Sequence, residues 1–440
     1  MNYQFTILKF IRIDFNNIDI LRSYIYSLRC FRKVNRWSLI LVSCFISCTS
    51  PEKPVTGRID FPVTINLNLS EAIVDSMNLS EIARKVEYIP LQTTDSSLMG
   101  YFRKFAITED YFFIVNELSV LIFDEKGNYI NRLFSIGSGP GEAAAYCIAV
   151  DEHGERVFVY DHNLSDVKIY DFHGNYIKTM KGSIRHPGTW AYSIGFFNNN
   201  LLIHTTQRPH AKYLYSSIDL SDDSIRILCR NYRTYSKSQE GKIPYSPYDY
   251  HYQITDSTIL YKETYSDTIF SVNKDFEQTA RYIINLGDRK LTWETWRECA
   301  FNLAGGPPDG YMVQSFAETE SYLLMVLNSF KYPQMFAVYN KNTNSTSIFR
   351  NKDYVPSVRE VYLKNDLDNL LPFPPMNKDG YLFYYDECLY SVIEANDFVK
   401  YFKSGLSESG SSSRYLRTMN PVLSSITEFS NPVLMKVQLK

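Results

Sequence analysis

Cysteine is scarce in this sequence, and its few cysteines form no pattern typical of a metal or redox site. Seven of the 440 residues are cysteine, and no Cys-x-x-Cys pair occurs. Zinc sites and dithiol redox motifs of the usual spacing are therefore not visible. The four cysteines beyond residue 48 are widely spaced and are predicted to be buried free thiols, although three disulfide pairings stay open in an exported protein. They are Cys147, Cys229, Cys299 and Cys388.

An excess of positive charge and the usual catalytic motifs are also absent. The formal net charge is −2, so no basic field favours a nucleic-acid partner. No His-Glu-x-x-His occurs, and GLSESG (405–410) has Ser409 where G-x-S-x-G needs its second glycine. GSGPGE (137–142) lacks the lysine of a phosphate loop and is predicted to be a turn between strands. The sequence therefore predicts no catalytic residue, no metal ligand and no cofactor.

The N-terminal region has the pattern of a secretory leader rather than of a membrane span. Its 48 residues carry seven Lys/Arg and two acids, and the apolar stretch from Trp37 to Ile46 is followed by Ser47 and Cys48. That stretch is shorter than the roughly 20 apolar residues that span a bilayer. The small residue before Cys48 resembles the lipobox of a bacterial lipoprotein, which makes Cys48 the predicted site of lipid attachment. We predict a leader over 1–48, with translation starting near Leu28 or Val34, and a tether and N-terminal segment over 49–78.

A repeated phrase indicates the architecture of the remainder. Asp124 to Asn128 and Asp171 to Asn175 both read Asp-x-x-Gly-Asn, are followed by Tyr-Ile, and have their glycines 47 residues apart. Runs rich in Val, Ile, Phe and Tyr flank both phrases and alternate as strands do. Gly in the left-handed conformation and an Asp bonding to backbone amides close a short hairpin. A period of this length predicts four-stranded antiparallel units arranged radially, as in a β-propeller.

Counting such units predicts an all-β, six-bladed β-propeller over residues 79–440. Five units follow one another from about residue 102 to residue 350. The sixth opens at 379–387, is interrupted by a helical insertion near 391–403 and a Ser/Gly-rich stretch, and resumes in the last ten residues. It lacks one strand, which we assign to residues 85–92. Because an open ring leaves an unpaired strand edge, N- and C-terminal strands sharing the last blade are expected to close it.

Several of these segments resemble a known family. LSEIARKVEYIPLQTTDSSLMG (79–100), IGSGPGE (136–142), the repeated hairpins and the terminal NPVLMKVQLK are similar to six-bladed β-propeller lipoproteins of Bacteroidetes-type bacteria, which are related in shape to NHL-repeat propellers. The resemblance implies the propeller fold and the lipid anchor, and it implies no catalytic residue because most members are of unknown function. The chain departs from the pattern at GEAAAY (141–146) and in the Trp-containing segment after blade four.

Aromatic side chains in two loop segments are the candidate ligand-binding residues. One segment is YSPYDYHY (245–252) and the other spans residues 291–311. Loops at one end of a rigid scaffold commonly carry function, and aromatic rings stack on sugars or peptide side chains. The alternative is that these aromatic side chains pack the insertion against the propeller. Arg103 and Arg281 also have two interpretations, a place at the channel mouth or the role of an ordinary surface ion-pair partner, and the second is favoured. The candidates are Tyr248, Tyr250, His251, Trp293, Trp296 and Arg297.

Three classes of function are compatible with the sequence. The favoured one is a lipid-anchored, non-catalytic binding or scaffold module in the cell envelope, facing the periplasm or at the outer-membrane surface, with a glycan, peptide or protein ligand. The alternative is a hydrolase or lyase that holds a divalent cation in the propeller channel. The third is a structural partner of an outer-membrane complex, expected to show an apolar outer patch. The fold alone does not decide among them.

Overall fold

Strands dominate the computed structural model of this protein. It describes residues 61–161, 163–182, 191–205, 212–233, 251–301, 306–351, 361–375, 382–400, 423 and 425–440. Cys48, the predicted site of lipid attachment, lies outside this range. No helix of the described residues is long and apolar enough to cross a membrane. Three strands precede the repeats: β1 (Val63–Asn66), β2 (Ile73–Val74) and β3 (Ala83–Pro90).

Six antiparallel blades follow, and the predicted six-bladed β-propeller is confirmed. The first three blades contain four strands each: β4 (Phe102–Ile107), β5 (Tyr111–Asn116), β6 (Ser119–Asp124), β7 (Tyr129–Arg132); β8 (Ala145–Asp151), β9 (Arg156–Asp161), β10 (Asp166–Asp171), β11 (Tyr176–Met180); β12 (Ala191–Phe197), β13 (Asn200–Thr205), β14 (Tyr213–Asp219), β15 (Ile225–Arg230). Blades four to six contain β16 (His251–Ile254), β17 (Thr258–Lys262), β18 (Thr268–Asn273), β19 (Gln278–Asn285); β20 (Met312–Glu318), β21 (Tyr322–Asn328), β22 (Met335–Asn340), β23 (Ser345–Arg350); β24 (Phe383–Tyr385), β25 (Cys388–Ile393), β26 (Val433–Leu439).

The N-terminal strands hold the ring together from outside. β3 pairs antiparallel with β26 as the outermost strand of blade six, so the predicted ring closure is confirmed. β1 and β2 add parallel fifth strands to β19 of blade four and β23 of blade five. Residues 63–78, which the sequence analysis assigned to the segment ahead of the propeller, therefore cover the outer edges of two blades.

Short helices occur between strands, and the helical insertion predicted near 391–403 begins later than the sequence indicated. Helix α1 spans Trp293–Phe301, and 3₁₀ turns span Leu69–Glu71, Leu79–Glu81 and Gly287–Arg289. In the predicted insertion near 391–403, residues 391–393 still belong to β25 because they pair with β26, and helix is described over 395–400. Side chains from neighbouring blades fill the space between the sheets. The four cysteines of the described residues form no disulfide. Cys147 and Cys388 are buried, whereas Cys229 and Cys299 are partly exposed.

The repeated phrase forms the hairpin between the two outer strands of a blade. Asp124 Oδ1 accepts hydrogen bonds from the backbone amides of Lys126 (3.0 Å) and Asn128 (2.7 Å). Gly127 has φ +84°, a region that side chains disfavour. The second copy repeats this geometry around Asp171, with Gly174 at φ +87°. The predicted structural role of both phrases is confirmed.

The Gly127→Ala variant is expected to lower the free energy of unfolding by about 1–3 kcal/mol. A Cβ at this position would collide with the backbone carbonyl of Pro90 in β3, in addition to the strain of positive φ. Gly287→Ala is the matched control, because Gly287 also has positive φ but no atom within 4 Å of the added Cβ. Urea denaturation of both variants measures the difference, and equal losses would show that the contact with β3 is unimportant.

Candidate functional site

The first strands of the blades surround a central channel. β4, β8, β12 and β16 are neighbours in that order, and β16 also contacts β20. A cavity of about 1210 Å³ lies between them, lined by the first strands of blades one to four and six and by Phe316 of blade five. Along β4 the lining runs from Lys104 to Ile107, about 10 Å of extended chain, and it continues into the turn at Thr108 and Glu109. The cavity is therefore larger than a site for one ion.

A β-bulge recurs near the start of four of these first strands. In blades one, two, three and five, the pairing with the second strand skips one residue. Bulges re-aim a side chain and are frequent next to functional sites. The skipped residues are Arg103, Tyr146, Tyr192 and Gln314.

Three of the bulged residues, together with Lys104, form a layer of cations and aromatic rings at the end of the channel where the first strands begin. The Arg103 guanidinium lies 5.1 Å from the ring centroid of Tyr146, and the Lys104 ammonium lies 4.2 Å from that of Tyr192. The two tyrosine rings meet edge to face at 6.0 Å. Lys104 Nζ also donates to the Tyr192 carbonyl (2.5 Å), which joins blade one to blade three across the channel. Lys104 thereby places a positive charge at the inner end of the cavity.

Hydrogen bonds between blades hold the channel wall. The Tyr252 hydroxyl donates to the Ile194 carbonyl at 2.7 Å and so links blades four and three. Gln253 bonds reciprocally with the Glu318 backbone, donating to its carbonyl and accepting from its amide, each at 2.7 Å. Because these bonds fix side chains of separate blades, the cavity is largely preformed.

His251, a predicted ligand-binding residue, lies at the inner end of this cavity and is buried. Its Nε2 bonds to the carbonyl of Phe316, and its Nδ1 lies 3.3 Å from the Ser315 hydroxyl. Burial lowers the pKa of His251 to about 3, although the bond to Phe316 acts in the opposite direction. The imidazole is therefore neutral at physiological pH and is held by the protein's own groups.

Of the other predicted residues, the three that the structure describes, Trp293, Trp296 and Arg297, do not line the cavity. Trp293 and Trp296 lie on one side of α1, as their spacing predicts, and their rings stack at 5.1 Å. Both are buried in a cluster with Tyr265, Leu291 and Met312, an arrangement that corresponds to the packing alternative. Arg297 is half-buried, and Tyr248 and Tyr250 lie outside the described residues. Ligand binding by the six residues stays a prediction.

The opposite end of the cavity, where the first strands turn into the second, is ringed by residues that the sequence analysis did not select. We call this opening the turn mouth; it is formed by Glu109, Glu152, His153, Asn198, Asn199, Asp256, Asp386 and Glu387. Asn198, Asn199, Asp386 and Glu387 all have positive φ, as two-residue hairpin turns require. The available signal in the sequence was the acidic residues in the turns after the predicted first strands of blades one, two, four and six.

Tyrosines and one backbone amide position the carboxylates of the turn mouth. Glu152 of blade two accepts a hydrogen bond from the Glu109 amide (2.6 Å) and another from the Tyr385 hydroxyl (3.0 Å). The Tyr384 hydroxyl donates to Glu387 at 2.6 Å. Burial, and then the charge of Glu152, raise the pKa of Tyr385, so this tyrosine stays a hydrogen-bond donor. Three blades are thus joined at Glu152.

The described residues hold no group of three His, Cys, Asp or Glu side chains arranged to bind a metal ion. Arg281 forms a two-pronged ion pair with Glu318, with both nitrogen–oxygen distances at 2.8 Å. This places Arg281 in the contact between blades four and five, as an ion-pair partner. Arg103 lies over Tyr146 instead.

Comparison with known proteins supports the fold. The model of the family described as "Domain of unknown function (DUF4934)" matches residues 63–438. A solved structure from Bacteroides fragilis NCTC 9343, whose name assigns it to the exported proteins, is 16% identical with a TM-score of 0.59, covering 86% of this chain and 99% of that one. A DUF4221 member from Bacteroides vulgatus ATCC 8482 is 12% identical with a TM-score of 0.46, covering 81% and 97%. None of the curated proteins matches significantly.

Proposed function

We propose that this protein, which belongs to the DUF4934 family, is a non-catalytic binding module whose ligand enters the channel at the turn mouth. The observation that carries the proposal is the preformed cavity of about 1210 Å³, built by separate blades and braced by hydrogen bonds between them. Concave sites with aromatic walls and a few placed polar groups are typical of ligand binding. Phe105, Phe383 and Tyr385 supply such walls here.

The proposed cellular location of the protein rests on its N-terminal leader rather than on the propeller. The basic residues, the apolar stretch and Cys48 support a lipid-anchored protein of the cell envelope, facing the periplasm or at the outer-membrane surface. The name of the B. fragilis protein is compatible with export. An envelope module that presents one face of a propeller suits a glycan, a peptide or a protein partner.

Screening the purified protein on glycan and peptide arrays, with a variant that obstructs the turn mouth, tests this proposal. Thr255 is exposed and lines the cavity, so Thr255→Trp is expected to abolish binding of the array hits. Ser257→Trp is the matched control, because Ser257 lies exposed in the same turn and does not line the cavity. Hits that bind both variants equally well would place the ligand elsewhere, and a screen without hits would count against the binding role.

A further inference from the structure

Negative charge is concentrated at the turn mouth. Asp151 is neutralised by Arg156 at 2.6 Å, but five other carboxylates line this end of the cavity: Glu109, Glu152, Asp256, Asp386 and Glu387. Two lysines are among the described lining residues: Lys104 at the inner end, and Lys274, whose carbonyl accepts a hydrogen bond from Asn198 at this end. Like charges around a concave opening with low-dielectric walls focus the field and attract cations.

We propose that the ligand of this cavity is a polypeptide segment bearing lysine or arginine side chains, whose cationic groups are held at the turn mouth. The inference rests on the proposed function and adds the chemical class of the ligand. It combines the cavity, the carboxylates and the aromatic wall beneath them, each of which is described independently of the others.

The carboxylate of Glu152 is held in place for such a ligand. Donors from blade one (the Glu109 amide) and blade six (the Tyr385 hydroxyl) fix it between them. A carboxylate has about four acceptor positions, so these bonds leave capacity for an ammonium or guanidinium donor. Hydrogen bonds between ionised partners are stronger than neutral ones.

Aromatic rings just inside the mouth suit the stem of a basic side chain. Phe105 and Phe383 stack at 3.9 Å, and the half-buried Tyr385 packs in the same cluster. Lysine and arginine pack their aliphatic stems on apolar surface and place their cations against ring faces. A neutral sugar would stack on the rings and donate hydroxyl hydrogen bonds to the carboxylates, but it would leave their five negative charges uncompensated.

The positive charge of Lys104 at the inner end of the cavity determines where a cationic group of the ligand binds. The Lys104 ammonium is buried there, so a second cation is repelled from the inner end and favoured at the mouth. A bare divalent ion is a poorer fit, because the described residues offer no group of three ligands for it. A cavity of about 1210 Å³ also exceeds what one ion fills.

Binding of a fluorescein-labelled penta-lysine peptide, measured by anisotropy, tests the inference. The triple variant Glu109→Gln, Asp256→Asn, Asp386→Asn removes three exposed charges at the mouth, and asparagine tolerates the positive φ of residue 386. We expect about tenfold weaker binding by this variant. The matched control Glu125→Gln, Asp222→Asn, Asp275→Asn removes three exposed charges in the outer hairpin turns, outside the cavity lining, and should bind as the wild type does.

Penta-glutamate and maltohexaose are the comparison probes. We expect neither to bind, and we expect raising the salt concentration from about 0.05 to 0.5 M to weaken penta-lysine binding through screening. An equal loss of penta-lysine affinity in both triple variants would show that binding depends only on overall charge, and it would overturn the inference. Maltohexaose binding that Thr255→Trp abolishes, without penta-lysine binding, would overturn the inference and leave the proposed function standing. Failure of every probe and array would overturn both.

Discussion

Removing residues 433–440 is expected to leave no folded ring. These residues include β26, the third strand of blade six, which pairs with β25 on one side and with β3 on the other. Without it, β3 has no strand to pair with and the two ends of the ring separate. Five of its side chains are fully or almost fully buried between blades five, six and one: Val433, Leu434, Met435, Val437 and Leu439. Circular dichroism and thermal unfolding should show loss of the cooperative transition.

Single substitutions in β26 give a graded form of the same test. Leu434→Ala removes a fully buried side chain from the cluster between blades six and one and is expected to cost about 2–5 kcal/mol of unfolding free energy. Lys436→Ala is the control, since Lys436 is only half-buried and its ammonium lies 5.8 Å from the Tyr390 ring. A truncated protein that still unfolds cooperatively near the wild-type temperature would show that β3 closes the ring in another way.

Local chemistry and strand counting predict much of this fold. The hairpins at Asp124 and Asp171 follow from residues a few positions apart, and the missing strand of blade six follows from the requirement for a closed ring. The strands β1 and β2 are four and two residues long and make parallel pairs with distant blades. The alternation of Val63, Ile65 and Leu67 indicates β1, and it does not specify a partner strand.

The turn mouth could not be predicted from the sequence for a different reason. Glu109, Glu152, Asp256 and Asp386 each occupy an ordinary turn, and only the ring brings them to one opening. Trp293 and Trp296 are the converse case, because they have the composition of a binding loop but are buried in a core cluster. Composition identifies rings that can bind a ligand, whereas burial decides which of them a ligand can reach.

The second large loss of stability is expected when Glu318 is substituted. Glu318 lies where β20, the first strand of blade five, contacts β19, the fourth strand of blade four. The buried carboxylate accepts two bonds from Arg281 at 2.8 Å and one from the Tyr282 hydroxyl at 2.5 Å, and it pairs with Lys341 at 2.7 Å. Glu318→Ala leaves these partly buried cations without their counter-ion, which typically costs about 3–5 kcal/mol. Glu320→Ala, two residues further on and exposed, should change stability by less than about 0.5 kcal/mol.

The pH dependence separates the charge of Glu318 from its size. Burial acts to raise the pKa of this carboxyl, but the Arg281 hydrogen bond and the charges of Lys341 and Arg281 outweigh it and leave the pKa below its usual value. A lowered pKa means that the native state holds the charged form, so the contribution is complete above the unfolded value of about 4.3 and is lost as the pH falls through the folded pKa. The difference in unfolding free energy between wild type and Glu318→Gln, which keeps the volume, should therefore narrow in acid. A difference that stays constant from pH 7 to pH 3 would mean that neutral hydrogen bonding, rather than the ion pair, joins blades four and five.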